Sequence, residues 1–177
     1  MSLTSRRLVP LAAIVALFAL TPTANAGDFG PIVRASGPLS DLQTAAAGPF
    51  DGARASVQIV ASAKGSHAVL RVSGVGDAAE GTTYGAHLHL GPCIAGNGAA
   101  ALAHYNTDVL AGVTPPEISE DTEVWLDITI DDGAGTATAS VPFVPLAGQR
   151  SVVVHAMETD HHTGAAGARL ACLPVVW

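Results

Sequence analysis

Positive charge is scarce in this chain. The 177 residues include 8 Lys and Arg against 15 Asp and Glu. Two of the eight, Arg6 and Arg7, lie in the first ten residues, so residues 27–177 carry six cations against fifteen carboxylates, a formal charge of −9. That balance excludes nucleic acid and anionic membrane surfaces as general partners. Long apolar runs are missing after residue 26, so no later stretch reaches membrane-spanning length. Cysteine occurs only as Cys93 and Cys172, which leaves one disulfide or two buried free thiols. There is no internal repeat, and no amphipathic helical period is convincing after the N-terminal segment.

That N-terminal segment reads as an export signal. Arg6 and Arg7 give a positive start, Leu8 to Leu20 is mostly apolar but too short to span a bilayer, and Ala24-Asn25-Ala26 fits an A-x-A cleavage site. The expected division is a signal over 1–26 and one domain over 27–177. No Cys directly follows the apolar run, so a lipid-anchored form is not expected. Ser5-Arg6-Arg7 raises a twin-arginine route, but Pro10 interrupts the apolar run and favours the general one. The expected location is therefore secreted, periplasmic or otherwise extracytoplasmic. In such an oxidising compartment the default for two cysteines is a disulfide, here closing a loop of about 80 residues worth at most about 4–5 kcal/mol in the chain-entropy model. The roughly 150 residues that remain can bury about two thirds of their surface, enough for an independent core.

Turns recur between short alternating segments. Ile32 to Ala35, Ala53 to Ala61, His67 to Ser73, the segment carrying Ala86 to Leu90, Thr122 to Ile130, Thr136 to Phe143, Ser151 to His155 and Ala168 to Val175 read as strands. Thr122 to Ile130 is the most regular: Val124, Leu126, Ile128 and Ile130 alternate with Glu123, Trp125, Asp127 and Thr129. About eight short strands predict an all-β antiparallel sandwich or barrel. Ile94 to Glu120 lacks any period, and a loop of that length in a compact domain is usually functional.

The chain centres on Gly85-Ala86-His87-Leu88-His89-Leu90-Gly91-Pro92-Cys93. Residues two apart on a strand share a face, so His87 and His89 project together while Ala86, Leu88 and Leu90 point inward. Two imidazoles on one face either sit on a wet surface or begin a metal site suited to copper, zinc, iron or nickel. Of the other histidines, His67 flanks a turn and His161 and His162 lie in a polar loop, all three expected at the surface. His104, in the long loop, and His155, at a strand end, remain as further candidate ligands. A cupin-like pair would need a Glu three or four residues beyond His89, where Pro92 and Cys93 stand instead.

In chain order these motifs resemble the copper/zinc superoxide dismutase family. Gly85-Ala86-His87-Leu88-His89 is similar to its G-x-H-x-H strand, His104-Tyr105-Asn106 to its His-Phe-Asn, Val153-Val154-His155 to the strand end with the last copper ligand, and Gly167-Ala168-Arg169-Leu170-Ala171-Cys172 to its G-x-R-L-A-C. The resemblance spans residues 30–177. It implies an eight-stranded Greek-key fold, a Cys93–Cys172 disulfide, copper held by His87, His89, His104 and His155, and an anion-guiding Arg169. The implied reaction is disproportionation of superoxide to dioxygen and hydrogen peroxide, with His104 as a ligand that can also carry a proton. No histidine lies between His104 and His155, so the family's zinc ligands are missing and the chain is closest to copper-only members; Asp108, Glu120 and Asp121 cannot build the usual zinc cage. The loop from His155 to Arg169 is also shorter than the family's guide segment. The alternative is an exported copper-binding module of the same fold without turnover. Nothing in the sequence fixes an oligomeric state.

Overall fold

The computed structural model describes residues 29–177; the segment read as an export signal lies outside the described residues. The fold is an all-β sandwich. Its strands are β1 (Phe29–Pro38), β2 (Ser40–Asp41), β3 (Arg54–Ser62), β4 (Gly65–Ser73), β5 (Thr83–Tyr84), β6 (Ala86–His89), β7 (Ile128–Thr129), β8 (Ala134–Val141), β9 (Gln149–His155) and β10 (Arg169–Val176). One short helix, α1 (Thr107–Ala111), and two 3-10 turns complete the regular structure among the described residues. Ten strands stand where about eight are expected, because β2 and β5 are two-residue additions to the anticipated set.

One sheet runs β1-β3-β4-β8 and the other β2-β10-β9-β6, with β5 and β7 as a separate pair. All named pairings are antiparallel. The hairpin between β3 and β4 is in simple register, Val57 opposite Leu70 and Ile59 opposite Ala68. Gly37-Pro38 continues β1 against Ala55 and Arg54, since Pro38 at an edge has no ladder N–H to lose. The main core lies between the sheets, with Val33, Val57, Ile59, Leu70 and Val72 from one meeting Leu88, Val152, Val154, Leu173 and Val175 from the other.

The second sheet has an outer side that is also covered. Leu42, Ala101, Val153 and Cys172 form a small cluster there, with Cys93 packed against it. The disulfide expected from the sequence is present: Cys93 and Cys172 are bonded, with Cα atoms 5.6 Å apart and a sequence separation of 79. It ties the start of the long loop to β10. Among the described residues no helix is long and apolar enough to cross a membrane.

The segment Thr122 to Ile130 departs from its expected form. Only Ile128–Thr129 is a strand, and the rest makes isolated bridges, Asn106 with Glu123 and Trp125 with His87. The inward alternation holds, since Val124, Leu126, Ile128 and Ile130 are all buried. The outward half fails: Glu123 and Trp125 are buried as well. From Glu123 to Leu126 the segment is covered on both sides, by the core on one and by the histidines on the other, whereas Thr129 is exposed.

Candidate metal centre

Backbone pairing explains how four distant histidines meet. His87 and His89 project from β6 on the side opposite the core, and β9 lies alongside with Val153 opposite His87 and Ser151 opposite His89. His155 ends β9, where its N–H donates to the Gly85 carbonyl. The free edge of β6 is taken by the long loop. Leu90 donates to Ala103, Tyr105 donates to Leu88, and His104 bridges His89 directly. Asn106 then caps α1, its side-chain oxygen accepting the Val109 N–H. Gly85 is required where it stands. A Cβ there would come within 2.6 Å of the Ala166 Cβ and 2.9 Å of the Thr159 hydroxyl.

The result is one compact group. His87, His89, His104 and His155 each offer a ring nitrogen such that the four atoms lie within 4.8 Å of one another. His87 and His89 are fully buried and His155 is 4% exposed, so the wet-face alternative for the His-x-His pair is removed. His104 is partly exposed and lines an open pocket together with His155, Glu123, Gly167 and Arg169.

Each imidazole is held by its other nitrogen. His89 Nδ1 bonds the Leu102 carbonyl at 3.1 Å, and His155 Nδ1 bonds the Gly167 carbonyl at 3.2 Å. A carbonyl only accepts, so both rings carry their proton on Nδ1 and present a bare Nε2. His104 Nδ1 meets Glu123 Oε2 at 2.8 Å. The Thr159 hydroxyl donates to Asp127 Oδ1 at 2.6 Å and so must accept from His87 Nε2 at 2.7 Å. His87 Nδ1 is then a bare acceptor, buried and without a partner. Every ring therefore turns a lone pair toward the same point. The Nε2 atoms of His89 and His155 face each other at 3.2 Å, two acceptors that only a shared cation or proton reconciles.

Electrostatics keeps the rings neutral. Burial, reinforced by the neighbouring histidines, pushes the His89 imidazole down to about 2. Burial likewise lowers His155, to about 4, against the upward pull of the Gly167 carbonyl. His87 is driven far below the ordinary imidazole range by burial and by His104, His155 and His89. Neutral imidazole is the form that ligates a metal. The donor set fits a metal ion, with four lone pairs, fixed tautomers and hydrogen-bonded outer partners. Four nitrogens suit several transition metals and leave the identity open.

The outer partners form a second layer that alternation alone concealed. Glu123, 2% exposed, accepts from His104, from Trp125 Nε1 at 2.8 Å and from Asn106 Nδ2 at 3.1 Å. Burial pushes its carboxyl up, but these hydrogen bonds outweigh that and hold it below the usual carboxylate value. Asp127 fixes Thr159 twice, through backbone N–H and hydroxyl. Neither Glu123 nor Asp127 stands out in the sequence, because period-two alternation assigns both to a solvent face. The acids named beforehand lie apart: Asp108 accepts the Glu117 N–H, Glu120 stands 3.7 Å from the exposed His161, and Asp121 is exposed. His67 and His162 are exposed, as expected.

Arg169 sits opposite His155 across the β9–β10 ladder, where the register shifts before Ala171. Such a bulge re-aims the side chain beside it. Its guanidinium donates to the Gly98 and Leu102 carbonyls while still lining the pocket. Leu102 thus accepts from both Arg169 and His89.

These features define a four-histidine centre built on one sheet of an all-β sandwich and open to solvent on the His104 side. Compared with known proteins, the sequence matches no family model and no curated protein.

Proposed function

We propose that this domain is an exported, copper-dependent superoxide dismutase related to the zinc-free members of the copper/zinc family. One observation carries the metal part of that reading: two neutral imidazoles, each protonated toward a carbonyl, face each other with bare nitrogens at 3.2 Å. The disulfide is compatible with an oxidising compartment. The order of the histidine, cysteine and arginine motifs supplies the link to the family.

His87, His89 and His155 would hold the ion from the buried side, and His104 from the open side. Copper held there would supply the one-electron chemistry that superoxide disproportionation needs. The residues do the rest. Arg169, always charged, draws the anion to the rim of the pocket against the net negative charge of the chain. His104, its Nδ1 held by Glu123, would carry a proton at Nε2. That proton is then available to the reduced product beside it. The Glu123–Trp125–Asn106 cluster keeps the His104 ring in place whether or not its inner nitrogen is occupied.

The test is direct. The refolded chain is loaded with copper and zinc together, metal per chain is counted, and superoxide loss is followed. One copper per chain with copper-dependent turnover is expected. Copper bound without turnover favours the non-catalytic module, and no copper bound ends the proposal. Arg169→Ala should keep the copper, slow the reaction and flatten its salt dependence; an unchanged rate removes the steering role.

A further inference from the structure

The carboxylates of this chain are unevenly placed. None of its fifteen Asp and Glu lies in β1, β3, β4 or β8. The six cations of residues 27–177 show the reverse bias. Arg34, Arg54 and Arg71 stand on this sheet, and Lys64 lies in the turn between β3 and β4. The remaining two, Arg150 and Arg169, are bonded to loop carbonyls.

The three sheet arginines share one face. Arg34 is opposite Gln58, Ser56 is opposite Arg71, and Arg71 is opposite Thr136. Val33, Ala55, Leu70 and Val72, their chain neighbours, point into the core, so the arginines point outward, and all three are exposed. Strand spacing and rise put the backbone of Arg71 about 8 Å from that of Arg54 and about 12 Å from that of Arg34. Among the described residues no carboxylate lies within ion-pair distance of any of them. Two shallow depressions run over this face and share Ser36, Ser56 and Arg71.

We propose that the outer face of the β1-β3-β4-β8 sheet binds a linear, carboxylate-bearing polysaccharide through Arg34, Arg54 and Arg71. A guanidinium fork matches a carboxylate with two parallel hydrogen bonds. Ser36, Ser56, Gln58 and Thr136 surround the arginines with the donors and acceptors that sugar hydroxyls use. The partner must be sparsely charged, since a densely charged polymer would also meet the fifteen carboxylates elsewhere on the chain. Nucleic acid fits poorly: residues 30–38 of β1 and strands β3, β4 and β8 hold no Phe, Tyr or Trp on which a base could stack, and the one imidazole on this face, His67, is hydrogen-bonded to Ser140. This face is separate from the histidine centre, so the proposal stands or falls independently of any copper chemistry.

The experiment uses the full domain and immobilised hyaluronate, which carries a carboxylate only on every second sugar, with neutral dextran as control. Retention on the acidic polymer alone is expected, and its log affinity should fall with log salt at a slope of about −2 for three charges, by analogy with counterion release from single strands. The variant Arg34→Ser/Arg54→Ser/Arg71→Ser should bind about tenfold more weakly or not at all, while taking up metal at the wild-type stoichiometry. Equal retention of variant and wild type overturns the proposal, as does no retention of either. Tighter binding to a single-stranded oligonucleotide overturns it in favour of nucleic acid. Salt-sensitive dimerisation lost in the variant, without glycan binding, overturns it in favour of a second copy of this chain.

Discussion

In β3 the residues from Ala55 to Ala61 alternate between buried and partly exposed, whereas in β6 all four residues are buried. Both strands obey the same pleat, and both turn apolar side chains into the same core. They differ in what covers the other side. The outer face of β3 meets solvent, so its residues need no partner. The outer face of β6 lies under the long loop and the segment before β7, so two imidazoles are taken from water and must find hydrogen bonds or an ion. A buried polar group left unsatisfied costs about 1–3 kcal/mol. The regular sheet therefore needs no ion or buried partner on its outer face, and the site-bearing one is complete only with something at its centre.

Acid should separate the two regions most sharply. In the metal-free fold His89 and His155 are held neutral down to about 2 and about 4, and His87 is held neutral still further, while the unfolded chain protonates all three near pH 6.5. The unfolded state therefore binds more protons below that pH, and stability falls as pH falls. Each such histidine contributes a loss of about 1.4 kcal/mol per pH unit, from near 6.5 down to its folded value. Urea denaturation in the presence of a chelator should show the decline beginning between pH 7 and 6. A stability that stays flat to pH 5 would mean that the rings are not held neutral. Glu123 acts in a lower window: its folded value lies below the ordinary one, so its share is lost only as pH falls through the carboxylate range.

His155→Ala removes one of the four lone pairs and leaves the bare His89 Nε2 without its counterpart. Metal affinity should fall by more than the 10- to 100-fold typical of an outer-partner mutation. Competition against a chelator of known affinity measures it, and retention of wild-type affinity would show that His155 is not a ligand.

Glu123→Gln should have a smaller effect, about 10- to 100-fold in metal affinity. The amide keeps the size of the carboxylate but cannot accept from His104, Trp125 and Asn106 together. If affinity is unchanged, the carboxylate is a structural partner of Trp125 and Asn106 and does not tune His104.

The histidines were legible in the sequence because their signal is local. His87 and His89 are two apart on a strand, His155 ends a run of valines, and the cysteines admit a single pairing. Glu123, Asp127 and Thr159 were not legible, since what marks them is burial against loops from other parts of the chain. Alternation described the inward half of Val124 to Ile130 correctly and misplaced Glu123 and Trp125, because a period of two cannot say whether the second face is wet. The same limit hid the double character of Arg169, which needs both its bulge and the loop carbonyls to be seen.

Thr138→Val gives the smallest effect and the cleanest control. Thr138 lies on the outer face of β8 opposite Val69, exposed, with no side-chain hydrogen bond among the described residues. Valine keeps the branched shape that suits a strand. Stability should change by no more than about 0.5 kcal/mol, and metal uptake and its pH dependence should not move. If this change on the regular sheet altered metal affinity, the two faces would be coupled through the core. The view of β6 as a locally completed site on an indifferent scaffold would then fail.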